Sequence, residues 1–215
     1  MCGIIGYFSP NVKEVHLPLL YSLMLESSIR GLHSFGLAYY RDREQDIITK
    51  KWLGFPRASE LDNITHTMIF HNRYSTSGDW ENQNNNMPIT LGDISVAVNG
   101  VISMKSKSRF NKEFKVNCHS ENDAEIFAQK LAMGKLPPAH IIKKELGSAS
   151  FAAVYIRDGE VFAIRNRKRP LYYFIKYGAV FVVSTIDIAR RALGERRTAI
   201  NMIRPLAELR LSERL

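Results

Sequence analysis

Only two of the 215 residues are cysteine, Cys2 and Cys118, too few for a disulfide framework. The six histidines are scattered without paired ligand spacing, so no structural metal is expected. No apolar run approaches the roughly 18 residues that a bilayer-crossing helix needs. The N-terminus lacks the basic n-region and long apolar h-region of a secretory signal, which makes the cytoplasm the expected compartment. Repeats, low-complexity tracts and long linkers are also missing, so residues 1–215 are read as one domain. Acidic residues are short as well: 21 against 30 Lys and Arg leave a net charge of +9. That balance is compatible with nucleic acid. However, no RRM, zinc-finger or basic-zipper pattern accompanies it. The excess sits mostly in the last third, from Arg165, Arg167, Lys168 and Arg169 to Arg210 and Arg214. It reads as a solvated basic face or a dock for a partner subunit.

What is present is an ordinary globular composition, 45% hydrophobic, with strands and amphipathic helices in mixed order. A strand over about 3–8 stops at Ser9-Pro10. Leu17, Leu20, Leu23 or Met24 and Ser27 then recur at helical spacing over 14–29, and Gly31 suits a C-terminal cap. Residues 36–41 and 46–50 are strand-like, Pro56 opens a short helix over 58–64, and 67–71 is a buried strand. Residues 77–88 form a polar, turn-rich loop, a kind that is usually functional or disordered. A strand over 94–98 closes at Asn99-Gly100, and Ser120 is placed to cap a helix over 122–133. A β-meander follows, its hairpins marked by Asp158-Gly159 and Tyr177-Gly178. A helix over 186–193 and two short strand-like pieces finish the chain. The absence of βαβ alternation indicates an α+β fold, sheet packed on sheet with helices outside.

Several residues could carry chemistry. Cys2 would become the first residue if Met1 were removed, placing a thiol and a free α-amine on one residue. Their ordinary pKa values, about 8.5 and 7.7–8.0, would let the amine take the thiol proton near neutral pH. Read alone, Cys2 is better taken as a small hydrophobe in a buried strand. Arg73, directly after a buried strand, could grip a carboxylate with its guanidinium fork, or serve as an ordinary surface ion-pair partner. Asn99 and Gly100 offer a side-chain amide and a backbone N–H for an oxyanion, or a plain Asn-Gly turn. Asp123, in the first turn of a helix, could meet an ammonium or simply favour the helix start. Arg30 and Gly31 belong to a polar turn able to brace the first residue.

Taken in order, the motifs are Cys2-Gly-Ile-Ile-Gly, Arg30-Gly-x-x-Ser-x-Gly, His71-x-Arg-Tyr-Ser-Thr, Val98-Asn-Gly and Ser120-x-x-Asp-x-Glu. This order resembles the glutaminase domain of the class II glutamine amidotransferases, amidophosphoribosyltransferase-like N-terminal-nucleophile (Ntn) hydrolases. Gly147-Ser-Ala-Ser-Phe-Ala-Ala-Val and Arg165-Asn-Arg-Lys-Arg-Pro-Leu-Tyr resemble that family's closing strands, so the likeness runs through nearly the whole chain. It implies a four-layer αββα sandwich of antiparallel sheets with Cys2 at the end of a central strand. It also implies that Cys2 is the nucleophile, its α-amine the base, and Asn99 and Gly100 the oxyanion donors. Arg73, Tyr74 and Thr76 would form the subsite for the α-carboxylate of L-glutamine, and Asp123 would hold the ammonium. Arg30 and Gly31 would support the nucleophile's loop, and 77–88 would be the lid. No metal or organic cofactor is implied. Two positions depart from the pattern: His33 stands where many relatives carry an acidic residue, and the lid is rich in asparagine (Asn82, Asn84, Asn85, Asn86). Relatives usually continue into a domain that consumes the ammonia. The expectation is therefore a stand-alone glutaminase passing ammonia to a separate synthetase-like subunit at the basic C-terminal face. The alternatives are another Ntn-type amidase using Cys2, and a non-catalytic module on the same fold that binds nucleic acid or a partner.

Overall fold

The computed structural model describes residues 2–41, 45–61, 64, 66–76 and 78–215. Met1 of the opening motif, Ser77 of the lid and part of the 58–64 helix lie outside them. Among the described residues the chain forms two antiparallel sheets. The larger, in the order β11-β9-β10-β1-β4-β2-β3, has β1 (Gly3–Phe8) at its centre. Beside β1 run β4 (Thr67–Arg73) and β10 (Ala179–Val183). Outward lie β2 (Ser34–Arg41) and β3 (Asp46–Trp52) on one side, β9 (Tyr172–Lys176) and β11 (Ile200–Met202) on the other. The second sheet, β12-β8-β7-β6-β5, comprises β5 (Ile89–Leu91), β6 (Ile94–Val101), β7 (Ser150–Arg157), β8 (Glu160–Arg165) and β12 (Leu209–Arg210).

Strand alternation assigns the layers. On β6, Val96 and Val98 face outward onto α3 (Glu125–Ala132) through Ile126, Phe127 and Leu131. Ala97 faces inward, where Ile4, Ala38, Ile69, Ala152, Val154 and Ala163 form the layer between the sheets. The outer face of the larger sheet is covered by α1 (His16–Ser27), with Leu20, Leu23 and Met24, and by α5 (Ile186–Leu193), with Ile188 and Ala189. Each fully buried side chain of this size contributes about 1.5–3 kcal/mol of transfer free energy. The result is the αββα sandwich that the resemblance implied.

Several local expectations need correction. The closing strands are not one meander: β7 and β8 belong to the smaller sheet, β9 and β10 to the larger, where β10 docks on β1. The hairpin turns themselves hold, with positive φ at Asp158, Gly159, Tyr177 and Gly178. Asn99-Gly100 is not a turn. Both residues lie inside β6, opposite Ala152 and Phe151. Gly31 is not a left-handed cap either, since its backbone is extended. Glycine is required there because a Cβ would stand 2.4 Å from the carbonyl carbon of Arg73. Ser120 does not cap α3. The Asn122 side chain accepts the Ala124 N–H at 3.0 Å, and Ser120 instead donates to Glu125. Weak periodicity hid β5, α2 (Lys107–Phe114) and the short α4 (Pro138–His140) with its π-helical continuation to Glu145. The described part of the 58–64 helix is a 3-10 turn, Ala58–Leu61.

Candidate active site

Cys2 immediately precedes the central strand, and Arg30 and Tyr74 bond to it from two other segments. By strand parity Cys2 shares the inward face with Ile4, as Arg73 and His71 do with Ile69, and Asn99 with Ala97. The Cys2 thiol is buried and held by one backbone unit: the Tyr74 N–H donates to Sγ at 3.4 Å, and Sγ–H lies 3.5 Å from the Tyr74 carbonyl. Arg30 Nε donates to the Cys2 carbonyl at 2.9 Å. Burial pushes the Cys2 thiol above its ordinary range, while the Tyr74 N–H and the charges of Arg73 and Arg30 pull it back. The near-neutral thiolate expected from reference values is therefore opposed by the site's own dryness.

Arg73 is buried, and its guanidinium interacts electrostatically with Cys2, Asp123 and Asp79. Nη1 donates to Asn86 Oδ1 at 2.5 Å, and Nη2 to the Gly78 carbonyl at 3.3 Å. Asp123 is also buried, and its Oδ2 accepts the N–H groups of Ile102 (2.6 Å) and Ser103 (2.8 Å), just past the end of β6. Glu125 braces the same loop. Burial pushes its carboxyl up, but the Ser120 hydroxyl and the N–H groups of His119 and Ser120 outweigh this and leave it lowered. Asn99 is buried and its Nδ2 has no hydrogen-bond partner among the described residues. Gly100 has a packing reason to be glycine, because a Cβ would stand 1.7 Å from the Ser150 carbonyl oxygen. Tyr74 and Thr76 are exposed at the rim.

The loop expected to be irregular is closely tied, and its asparagines do the tying. Residues 83–85 form a 3-10 turn. Asn85 Nδ2 donates to the Asp79 carbonyl (2.9 Å), and its Oδ1 accepts the Glu121 N–H (2.8 Å). Asn86 Nδ2 donates to the Trp80 carbonyl (2.7 Å), and Asn122 to the Asn85 carbonyl (2.8 Å). Lys51 Nζ reaches the Gln83 carbonyl at 3.2 Å; burial lowers its pKa to about 8. A cavity of about 320 Å³ borders this loop, lined in part by Lys51, Asn84, Ser120 and Glu125. Larger clefts of about 570 and 420 Å³ lie along the C-terminal arm and contain none of the motif residues.

Sequence reading missed Asn72, Asn122 and Trp80, and named Asn86 and His33 as departures without the part each plays. Asn72 joins β4 to the end of α1, accepting from Ser27 Oγ (2.6 Å) and donating to the Ser27 and Gly31 carbonyls. The asparagine run was the available signal. In the basic third, Arg167, Lys168, Arg196, Arg197, Arg204 and Arg214 are exposed as a solvated face requires, and Arg165 is the exception. Arg165 is buried, donating to the carbonyls of Ile203, Asn166 and Arg169. Arg191 pairs with Glu26, and Arg210 with Glu160.

Solved structures carry the same arrangement of sheets and helices. A glutamine phosphoribosylpyrophosphate amidotransferase from B. subtilis superposes with a TM-score of 0.69 at 17% identity, over 95% of this chain and 46% of that one. A glutamine aminotransferase class-II domain protein from Silicibacter pomeroyi gives 0.57 at 14% identity, over 98% of this chain and 99% of that one. The chain has the fold of the class II glutamine amidotransferases. No family model matches it. Among curated proteins, the glutamine–fructose-6-phosphate aminotransferase of Shewanella oneidensis is 28% identical over 196 residues, 86% of this chain. The chain spans about a third of that relative (32%) and under half of the B. subtilis amidotransferase (46%). No helix among the described residues is long and apolar enough to cross a membrane.

Proposed function

We propose that residues 1–215 form one glutaminase unit that hydrolyses the side-chain amide of L-glutamine in the cytoplasm. The observation that carries this reading is the buried Cys2 thiol held by the Tyr74 N–H, one residue beyond the buried Arg73, whose charge bears on both Cys2 and Asp123. A nucleophile next to a fixed cation and a fixed anion suits a free amino-acid head, whose carboxylate and ammonium need opposite partners. That pairing disfavours an amidase for acylated substrates. The electrostatics do not require nucleic acid, and Arg165, Arg191 and Arg210 have partners within the chain.

In this mechanism the α-amine of Cys2, freed of Met1, takes the thiol proton. The thiolate attacks the γ-carboxamide carbon, and the oxyanion meets the Asn99 amide and the Gly100 N–H. The amine returns the proton to the leaving nitrogen, ammonia departs, and a γ-glutamyl thioester remains. Water, deprotonated by the same amine, then releases glutamate and restores the thiol. Arg73 and Thr76, with Tyr74 beside them, receive the carboxylate, Asp123 the ammonium, while Arg30 and Gly31 hold the turn. The ammonia passes to a separate synthetase-like subunit. Removal of Met1 and labelling of Cys2 by a diazoketone analogue of glutamine, both read by intact mass, test the proposal. Cys2→Ala is expected to abolish labelling and ammonia release; undiminished release from that variant would overturn it.

A further inference from the structure

His33 is one of the places where this sequence departs from its resemblance, and the structure gives it three simultaneous contacts beside the nucleophile. Its Nδ1 accepts the Ser75 N–H at 2.9 Å, which requires a neutral ring with its proton on Nε2. Its ring stacks on Tyr74, with centroids 5.1 Å apart and planes 22° apart. Trp80, from the lid, stacks on it at 5.4 Å and 23°. The backbone adds a fourth tie, His33 N–H to the Arg73 carbonyl at 3.0 Å. Tyr74 and Ser75 are the strap over the thiol: Tyr74 supplies both backbone groups at Cys2 Sγ, and Ser75 Oγ donates to Gly78 at 3.0 Å.

We propose that His33 is a positioning residue that fixes this strap and couples it to the lid, so that lid closure and the cradle of the thiol are one mechanical unit. The proposal rests on the glutaminase reading of Cys2. Its two halves use different parts of the side chain. The ring nitrogen holds the strap by accepting Ser75 N–H; the ring face holds the lid by meeting Trp80. A carboxylate could serve the first half and not the second, which is what replacing an acidic residue with histidine adds.

The two halves are separable with two electrophiles, iodoacetamide, which needs only the thiol, and the diazoketone analogue of glutamine, which also needs the closed pocket. Modification is located at Cys2 by peptide mass. His33→Ala is expected to slow iodoacetamide labelling about five- to tenfold, the effect of one lost hydrogen bond, and the analogue still more. His33→Asn keeps an acceptor for Ser75 without a ring; it should restore most of the iodoacetamide rate while the analogue stays slow. Trp80→Leu should leave iodoacetamide unchanged and slow the analogue, raising the glutamine KM more than it lowers kcat. The proposal is overturned if His33→Ala labels at the wild-type rate with both reagents. It is equally overturned if all three variants lose both reactions together with their melting temperature, since that is a merely structural role. A wild-type protein that reacts with iodoacetamide and not with the analogue would sink the glutaminase reading and the lid half, while the strap half would still be read by the first reagent.

Discussion

Asn99 presents a side-chain amide sealed from solvent with nothing to donate to among the described residues. Folded proteins rarely leave such a donor unpaired, at a cost of about 1–3 kcal/mol. A donor kept unsatisfied at rest is available to a charge that exists only during reaction. Replacing it should separate activity from stability. Asn99→Ala is expected to lower kcat for glutamine hydrolysis on the order of 10²-fold, with a melting temperature unchanged or higher. Steady-state ammonia release and thermal melts on the same preparation check both. The sequence pointed to this residue and misread its setting, because an Asn-Gly pair in isolation is a turn signal. Only the partner strand β7 shows that the pair is mid-strand.

Elements with strong local patterns were legible: β1, α1, β4, α5 and both hairpin turns lie where periodicity and turn chemistry put them. The lid was not, because its order comes from asparagine side chains satisfying distant backbone groups. Asn85 bonds Glu121, thirty-six positions away, and no periodicity encodes such a pairing. The likeness supplied the αββα layering; alternation along single strands could not assign β8 and β9 to different sheets. Asn85 also offers a test of the lid. Asn85→Ala removes its ties to Asp79 and Glu121 without touching Arg73, so the glutamine KM should rise about fivefold with kcat little changed. Equal losses in both constants would show that the loop acts in chemistry and not in closure.

At the scale of the whole molecule, His71 couples the site to global stability. It is fully buried between the sheets, and burial, with Arg73 nearby, lowers its pKa to about 3. The unfolded chain binds a proton on this imidazole below about pH 6.5, and the folded state does not until about pH 3. Stability is therefore complete above pH 6.5 and falls as the pH drops toward 3, by up to about 1.4 kcal/mol per pH unit from this group. Urea unfolding at several pH values should show that slope in the wild type and a shallower one in His71→Gln.

Cys2 leads into one sheet and Asn99 sits in the other, and the layer between them sets four alanines, Ala38, Ala97, Ala152 and Ala163, among branched side chains such as Ile4, Ile69, Val154 and Val182. In the proposed reaction the nucleophile and the group facing it are thus held apart by the thickness of a hydrocarbon filling. Turnover becomes a caliper for that filling: one extra methyl pair, as in Ala97→Val, should spread the jaws and depress ammonia release at temperatures where circular dichroism still reports a fully folded chain.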